Sequence, residues 1–588
     1  MKGTIRQSLA YCLALFGLGV LYRATFISQG YNATDEGWLQ SQGARIVAGQ
    51  VAYRDFSFDL PPVSIYKEAA LIRVFGDAYG ILASRWVFTL EVALASVLAF
   101  VIIVRYVRPT TAFLSVLPTT FFSVILFYYS NYSYDGEVLA LLSVALLVHA
   151  KARRRWLAII GGIAGGLAFM SKPTFLGLLP IVLIAGLANM LAMRYAPRQL
   201  QGVQGRWSGV ALYTAGFVLS SLGVIGYFAL HGAAVELLYN AFLLPRQSYA
   251  FPLGFVIWQD LPQVMLFWPN IAGYLAALLV LVLLVRVEGI PDVLRLAAAT
   301  GLALFLVVRA LPSSTTGLPT ARQQALLLMV LGSLLLLNAA ALVVAILAKG
   351  GLKAALFPPE LPALALGLQY AAQFNAAGVR FSYYGAFLSV PVAVLFLRGL
   401  VVARPAWRRG QIGIRVSALA PVMIGVTISL TGIADARGVV TRDGPRSELS
   451  STFTTPRLHG ITSLPANTSR LDGLVAVVDS RTAAGDPILV LPDFPVLYFL
   501  TGRRNPTRIG WYETPQATKA GAEQAVSDMK RDPPKLVILQ TYDEGDFSRT
   551  GPKLDYEALP QLLPVYRYVT ANYRLVDTVG DLQIWSQG

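Results

Sequence analysis

The apolar residues of this chain come in long uninterrupted blocks. From Ser208 to Leu230 and from Ala325 to Leu347 no charged residue occurs, and about 20 apolar residues suffice for a helix to cross a bilayer. The same pattern predicts spans at 8–28, 81–104, 110–128, 136–150, 156–171, 174–193, 208–230, 264–285, 293–308, 325–347, 354–374, 381–402 and 416–434. That makes about 13 helices, some interrupted by Pro and Gly. Between the first two spans, residues 29–80 are too long for a connector and carry two helix-like stretches, Glu36–Ala48 and Val63–Phe75. In the second, Val63, Ile65, Tyr66, Ala69 and Ile72 alternate with Lys67, Glu68 and Arg73, as suits a helix lying in the membrane interface.

Beyond residue 435 charges appear throughout. Strands are expected at Pro487–Leu491, Leu536–Gln540, Tyr573–Val579 and Leu582–Trp585, with helices at Ser469–Ala483 and Ala517–Arg531. About 150 residues make one small domain. The expected architecture is a polytopic α-helical membrane protein: a transmembrane domain over 1–434, with the outer loop at 29–80, and a soluble α/β domain over 435–588.

Composition agrees with the pattern: 55% of residues are hydrophobic and 14% charged, against about a quarter charged in a soluble protein. The net charge of +16 is accounted for by its location. Alternating sides along the chain gathers basic residues such as Arg105, Arg108, Lys151, Arg153, Arg154, Arg155, Arg194, Arg404, Arg408 and Arg409 onto one side, the bias of cytoplasmic loops. Nucleic acid is therefore not needed to explain the charge. The N-terminus is expected in the cytoplasm, and everything after the last span outside the cell or plasma membrane. The single cysteine, Cys12, excludes a disulfide framework and a cysteine-rich metal site, and three scattered histidines argue against a histidine-based one.

Candidate chemistry concentrates on the outer loop. Thr34-Asp35-Glu36-Gly37 is followed by Gln42 to Gln50, then by Tyr53-Arg54-Asp55 and Phe58-Asp59-Leu60-Pro61-Pro62. Asp35 and Glu36 fall at the start of a helix, where the backbone amides favour carboxylates. An acidic pair held at a membrane surface is costly to place there without a use. Other charges stand near outer helix ends or within spans. Asp135 and Glu137 form either a second acidic site or a helix cap, and Glu91 pairs with Arg85 or with another helix. Arg246, among the aromatics of residues 242–254, either binds sugar or phosphate or belongs to an interface belt.

The Asp35-Glu36 pair after the first helix, Arg45, Gly49, the Phe58–Pro62 run and the helix layout together resemble the GT-C superfamily of polyprenyl-phosphate-sugar glycosyltransferases. The likeness is to the branch with the protein O-mannosyltransferases and the lipid A aminoarabinose transferase. The resemblance implies that Asp35 is the catalytic carboxylate and Glu36 its structural neighbour or a secondary contributor. It also implies that Lys172 of Ser171-Lys172 and Arg380 of Val379-Arg380-Phe381 face the donor phosphate. Asp59 matches an acidic residue that helps hold a metal in the aminoarabinose transferase, so a divalent cation is a possible cofactor. Two phosphate contacts of that enzyme are replaced by Leu39 and Leu60 here, and Arg54 is the candidate substitute.

The chemistry asks for few parts. A sugar on a lipid phosphate carries its own leaving group, so no nucleotide site is required, and no nucleotide fingerprint is found. The acceptor hydroxyl needs a base, the anomeric carbon gains oxocarbenium character, and the departing phosphate needs cations in a site of lowered dielectric. The function expected is a membrane glycosyltransferase moving a sugar from a polyprenyl-phosphate donor to an envelope acceptor. The alternative is a transporter or lipid flippase, which would show paired repeats and broken helices meeting at the midplane; no paired repeat is found.

Overall fold

The structure is a computed structural model that describes residues 2–121, 129–150, 154–194, 207–244, 337–347, 357–373, 386–402, 443, 446–512, 517–541 and 554–587. The expected spans 264–285, 293–308 and 416–434, together with Arg246 and Arg380, lie outside the described residues. Helices and strands are numbered here among the described residues.

The helical part comprises α1 (Lys2–Ala24), α2 (Asp35–Val47), α3 (Val63–Phe75), α4 (Gly80–Ile103), α5 (Pro109–Phe121), α6 (Tyr132–His149), α7 (Trp156–Phe169), α8 (Leu178–Arg194), α9 (Trp207–Leu230), α10 (Ala234–Leu238), α11 (Leu337–Leu347), α12 (Glu360–Gln373) and α13 (Ala386–Val402). Among the described residues, α1, α4 and α9 contain stretches long and apolar enough to cross a membrane. Helix α4 is apolar on most of its circumference and largely buried, as expected of a helix enclosed by others. Helix α7 reads Trp-Leu-Ala-Ile-Ile-Gly-Gly-Ile-Ala-Gly-Gly and packs its glycines on α9. A Cβ on Gly162 would run into the Tyr213 and Phe217 backbone, and one on Gly216 into the Ile159 carbonyl. Small residues at such spacing let two backbones close up where no hydrophobic force drives helices together.

The C-terminal part is a layered α/β unit. Small strands β1 (Ser451–Thr452) and β2 (Thr462–Ser463) precede α14 (Pro465–Arg481). Then follow β3 (Ile488–Leu491), α15 (Val496–Thr501), α16 (Lys519–Arg531), β4 (Leu536–Gln540), α17 (Leu563–Asn572), β5 (Tyr573–Val579) and β6 (Leu582–Gln587). The main sheet runs β3-β4-β6-β5, with β3 and β4 parallel and the other pairs antiparallel. Strands β3 and β4 are apolar runs because both faces are covered. Ile488, Val490, Leu536 and Ile538 meet Leu471, Leu474 and Val478 of α14. Leu489, Leu491, Val537 and Leu539 meet Ala522, Ala525 and Met529 of α16 and Val565 and Val569 of α17.

This unit is not a freely tethered appendage. One apolar core joins Tyr31, Ala33, Ile72 and Ile81 of the N-terminal part to Phe453, Val496, Leu497 and Phe499. Backbone bonds stitch the exit of α1 to β2, with the Gly30 amide donating to the Thr462 carbonyl and the Thr462 amide to the Ser28 carbonyl, each at 2.7 Å. Residues 29–80 and the C-terminal unit therefore lie at the same end of the helical bundle. Arg105, Arg108, Arg154 and Arg155 follow or precede the opposite ends of α4, α5 and α7.

Candidate functional site

The site is built around the first turn of α2. Asn32 shapes that turn: its Oδ1 accepts from the Thr34 amide at 3.0 Å and the Asp35 amide at 3.1 Å, satisfying donors that a helix start leaves open. The amide of the same side chain donates to the Tyr129 hydroxyl at 2.7 Å and to Asp35 Oδ2 at 3.3 Å, and Tyr129 donates to Asp35 Oδ2 at 3.1 Å. Asp35 is thus a half-buried carboxylate held at the positive end of a helix.

Glu36 faces elsewhere, because successive helical residues point about 100° apart. Its Oε1 and Oε2 receive Arg85 Nε at 2.7 Å and Nη2 at 2.8 Å, and Arg85 also donates to the Ile27 and Gly30 carbonyls at 2.7 and 2.8 Å. The pair is buried with its donors used. Of the two expected roles for Glu36, this pairing fits the structural neighbour, which braces the turn that presents Asp35. It also settles Arg85, whose partner is Glu36 and not Glu91.

The soluble unit lies directly on this helix. Thr34 Oγ1 donates to Asp493 Oδ2 at 3.5 Å, and Ser41 Oγ to the Pro495 carbonyl at 2.5 Å. Gly37 has no room for a side chain, since a Cβ there would overlap Val496. Farther along, Arg45 of the motif is a clasp: it donates to Gln50 Oε1 at 2.6 Å and to the Thr507 carbonyl at 3.2 and 3.3 Å, and lies over the Phe56 ring at 4.7 Å. Burial lowers its pKa to about 10. Sequence reasoning missed Asp493, a buried carboxylate beside the start of α2, because no local pattern ties residue 493 to residue 34.

A second group of charges forms on α3 and the helix ends beside it. The Val63 amide donates to the Met170 carbonyl at 3.1 Å, which binds the Pro61-Pro62 turn to the Ser171-Lys172 corner after α7. Lys67, one turn into α3, bridges Glu91 at 3.1 Å and Asp135. Asn131 caps α6, accepting from the Ser133 amide at 2.8 Å, so Asp135 is the lysine's partner and not the cap. Lys172 is buried; burial lowers its pKa to about 7, with Glu137 pulling the other way. Asp59 is buried with Oδ1 lacking a hydrogen-bond partner, and burial raises its pKa to about 7. No group of three or more His, Cys, Asp or Glu side chains is placed to hold a metal among the described residues, so Asp59 has no companions there to complete such a set.

Arg54 does not join these charges. It is exposed and forked onto Asp55 at 2.8 and 2.9 Å. It lines a cleft of about 750 Å³ with Gln50, Arg508, Asp528 and Arg531. Gln50 lies past the C-terminal end of α2, about 20 Å from Asp35 at 1.5 Å of helix rise per residue. Arg54, expected at the donor phosphate, is held by Asp55 at the rim of this cleft.

No family model and no curated protein matches the chain. Among solved structures it is similar to the oligosaccharyltransferase of Archaeoglobus fulgidus, with 12% identity over 90% of this chain and 69% of that one and a TM-score of 0.48. It is similar also to ArnT from Cupriavidus metallidurans bound to undecaprenyl phosphate, with 12% identity over 100% of this chain and 98% of that one and a TM-score of 0.42. A third is the A. fulgidus enzyme AglB with an inhibitory peptide and a dolichol-phosphate, with 12% identity over 90% and 69% of the chains and a TM-score of 0.47. With TM-scores below 0.5 the likeness carries no chemistry of its own.

Proposed function

We propose that this protein is a membrane glycosyltransferase that moves a sugar from a polyprenyl-phosphate donor to a cell-envelope acceptor on the outer face. The observation that carries this reading is the arrangement at α2: a half-buried carboxylate, Asp35, held on one oxygen by Tyr129 and Asn32, with the lysines Lys67 and Lys172 on neighbouring elements.

In the proposed step the acceptor hydroxyl attacks the anomeric carbon, and its proton passes to Asp35. The bond from that carbon to the phosphate oxygen breaks, and its electron pair leaves with the lipid phosphate. Lys172 holds that phosphate, in a dry site where each charge acts strongly. Glu36 and Arg85 keep the first turn of α2 in place, and Asp493 and Thr34 set it against the soluble unit. An acceptor that is itself a phosphate needs no base, and Asp35 then orients it.

The test is Asp35→Asn in the full-length protein, assayed for sugar transfer from polyprenyl-phosphate donors and for the envelope glycans of a strain carrying it. Transfer is expected to fall at least a hundredfold, the scale of one positioned acid or base, while the variant still inserts and keeps its melting temperature. Full transfer in a folded Asp35→Asn variant removes Asp35 from the reaction. Loss of lipid movement without any change in glycan composition favours the transporter.

A further inference from the structure

Arg23 stands in the last turn of α1, at the end of the bundle that carries Asp35. It is 3% exposed, and its Nε, Nη1 and Nη2 are all buried without a hydrogen-bond partner. A guanidinium presents five N–H donors in a plane and stays charged. Keeping one dry and unpaired is among the costliest arrangements a fold can hold. Two ordinary explanations fail. An arginine that anchors a helix in the interface reaches its head into water, and this one is enclosed. A structural arginine has its donors used, as Arg85 does with Glu36, Ile27 and Gly30. Among the described residues, the ionisable groups that face Arg23 are Tyr22 on its own helix and Tyr134 on α6, and neither is a carboxylate.

Its place relative to the site is set by the segment around the start of α6. Tyr129 holds Asp35, Tyr134 faces Arg23, Asp135 pairs with Lys67, and Glu137 faces Lys172. One short stretch of chain therefore touches the proposed base and three buried or half-buried cations. Of these, Lys67 already has two carboxylate partners and Lys172 has Glu137. Among the described residues, Arg23 alone of the three has no anionic partner.

We infer that Arg23 is a phosphate ligand, and that the anion it awaits is the phosphate of the polyprenyl lipid at the outer end of α1. Its planar fork matches two phosphate oxygens at once. The identity of the lipid rests on the transferase reading; the requirement for an anion rests on Arg23 itself.

The experiment uses full-length protein in detergent, with farnesyl phosphate, farnesol, inorganic phosphate and phosphatidylglycerol as probes. Wild type is compared with Arg23→Met and Arg23→Lys by equilibrium binding and by thermal unfolding. Wild type is expected to bind farnesyl phosphate and to rise in melting temperature with it, and to ignore farnesol. Arg23→Met should lose at least tenfold in farnesyl phosphate affinity and should melt higher than wild type without ligand, since an unpaired buried charge has gone. Arg23→Lys should keep part of the binding. A lower melting temperature for unliganded Arg23→Met, with farnesyl phosphate binding unchanged, makes the arginine structural and overturns the inference. Phosphatidylglycerol competing as well as farnesyl phosphate assigns the site to bulk lipid headgroups and overturns the donor assignment. A protein that binds farnesyl phosphate through Arg23 but transfers no sugar sinks the transferase reading and leaves the phosphate site standing.

Discussion

Adjacent residues in this protein have divergent chemistry because the helix turns between them. Asp35 and Glu36 read as one acidic pair in the sequence, yet one carboxylate is locked to Arg85 and the other is presented beside Tyr129. Lys172 shows how burial sets a usable charge. Its pKa of about 7 in the unliganded protein means that the ammonium is fully formed only below neutrality. An arriving phosphate favours the ammonium, so the pKa is higher in the complex. Affinity for farnesyl phosphate should therefore hold steady below about pH 7 and weaken as pH rises above it, by up to tenfold per pH unit until the pKa of the complex is reached. Lys172→Arg, which keeps its charge throughout, should lose this slope and expose any titration of the probe itself. Identical profiles for the two proteins place Lys172 away from the phosphate.

At the scale of elements, α2 is a wedge between the helical bundle and the soluble unit. Glycine is a poor helix former, yet Gly37 and Gly43 both stand inside α2. Gly37 lies against Val496 of α15, and Gly43 against Glu68 and Ala69 of α3, so the missing side chains are what let the three helices meet. Gly37→Ala should lower stability by about 1–3 kcal/mol, the usual cost of an overpacked contact, and should reduce transfer by displacing the turn that carries Asp35. Adding Val496→Ala should restore much of both. Unfolding midpoints of the single and double variants in detergent check this; additive losses would show that the two residues do not share a contact. Sequence reading located both helices to within a residue, α2 between its acidic start and the Gly49 break and α3 by the apolar residues Val63, Ile65, Ala69 and Ile72. It did not reveal α15, whose six residues are too short to show a period.

At the scale of the molecule, the proposed orientation puts Asp35 and the soluble unit outside and the arginine-rich helix ends inside. The chain's single cysteine makes this testable. On a Cys12→Ser background, Ser527→Cys, on the exposed face of α16, should react with an impermeant maleimide in intact cells. Arg154→Cys, exposed at the opposite end of the bundle, should react only after permeabilisation. The reverse pattern places Asp35 on the cytoplasmic side and ends the outer-face proposal. The shared core of Tyr31, Ile72, Val496 and Phe499 further implies that the two parts melt together, although composition divides them sharply at about residue 435.

The sequence by itself determined where the described apolar helices fall, the four strands of the C-terminal sheet and the place of the acidic motif. These follow from local periodicity and from the cost of burying charge, which any window of the chain displays. Only the tertiary structure decided which charge meets which. Arg85 chose Glu36, Lys67 chose Glu91 and Asp135, Arg54 chose Asp55, and Arg23 was enclosed without a partner among the described residues. Pairing of that kind depends on where distant helices cross and on which side chains lose their water there, and neither is written in the order of residues along one element.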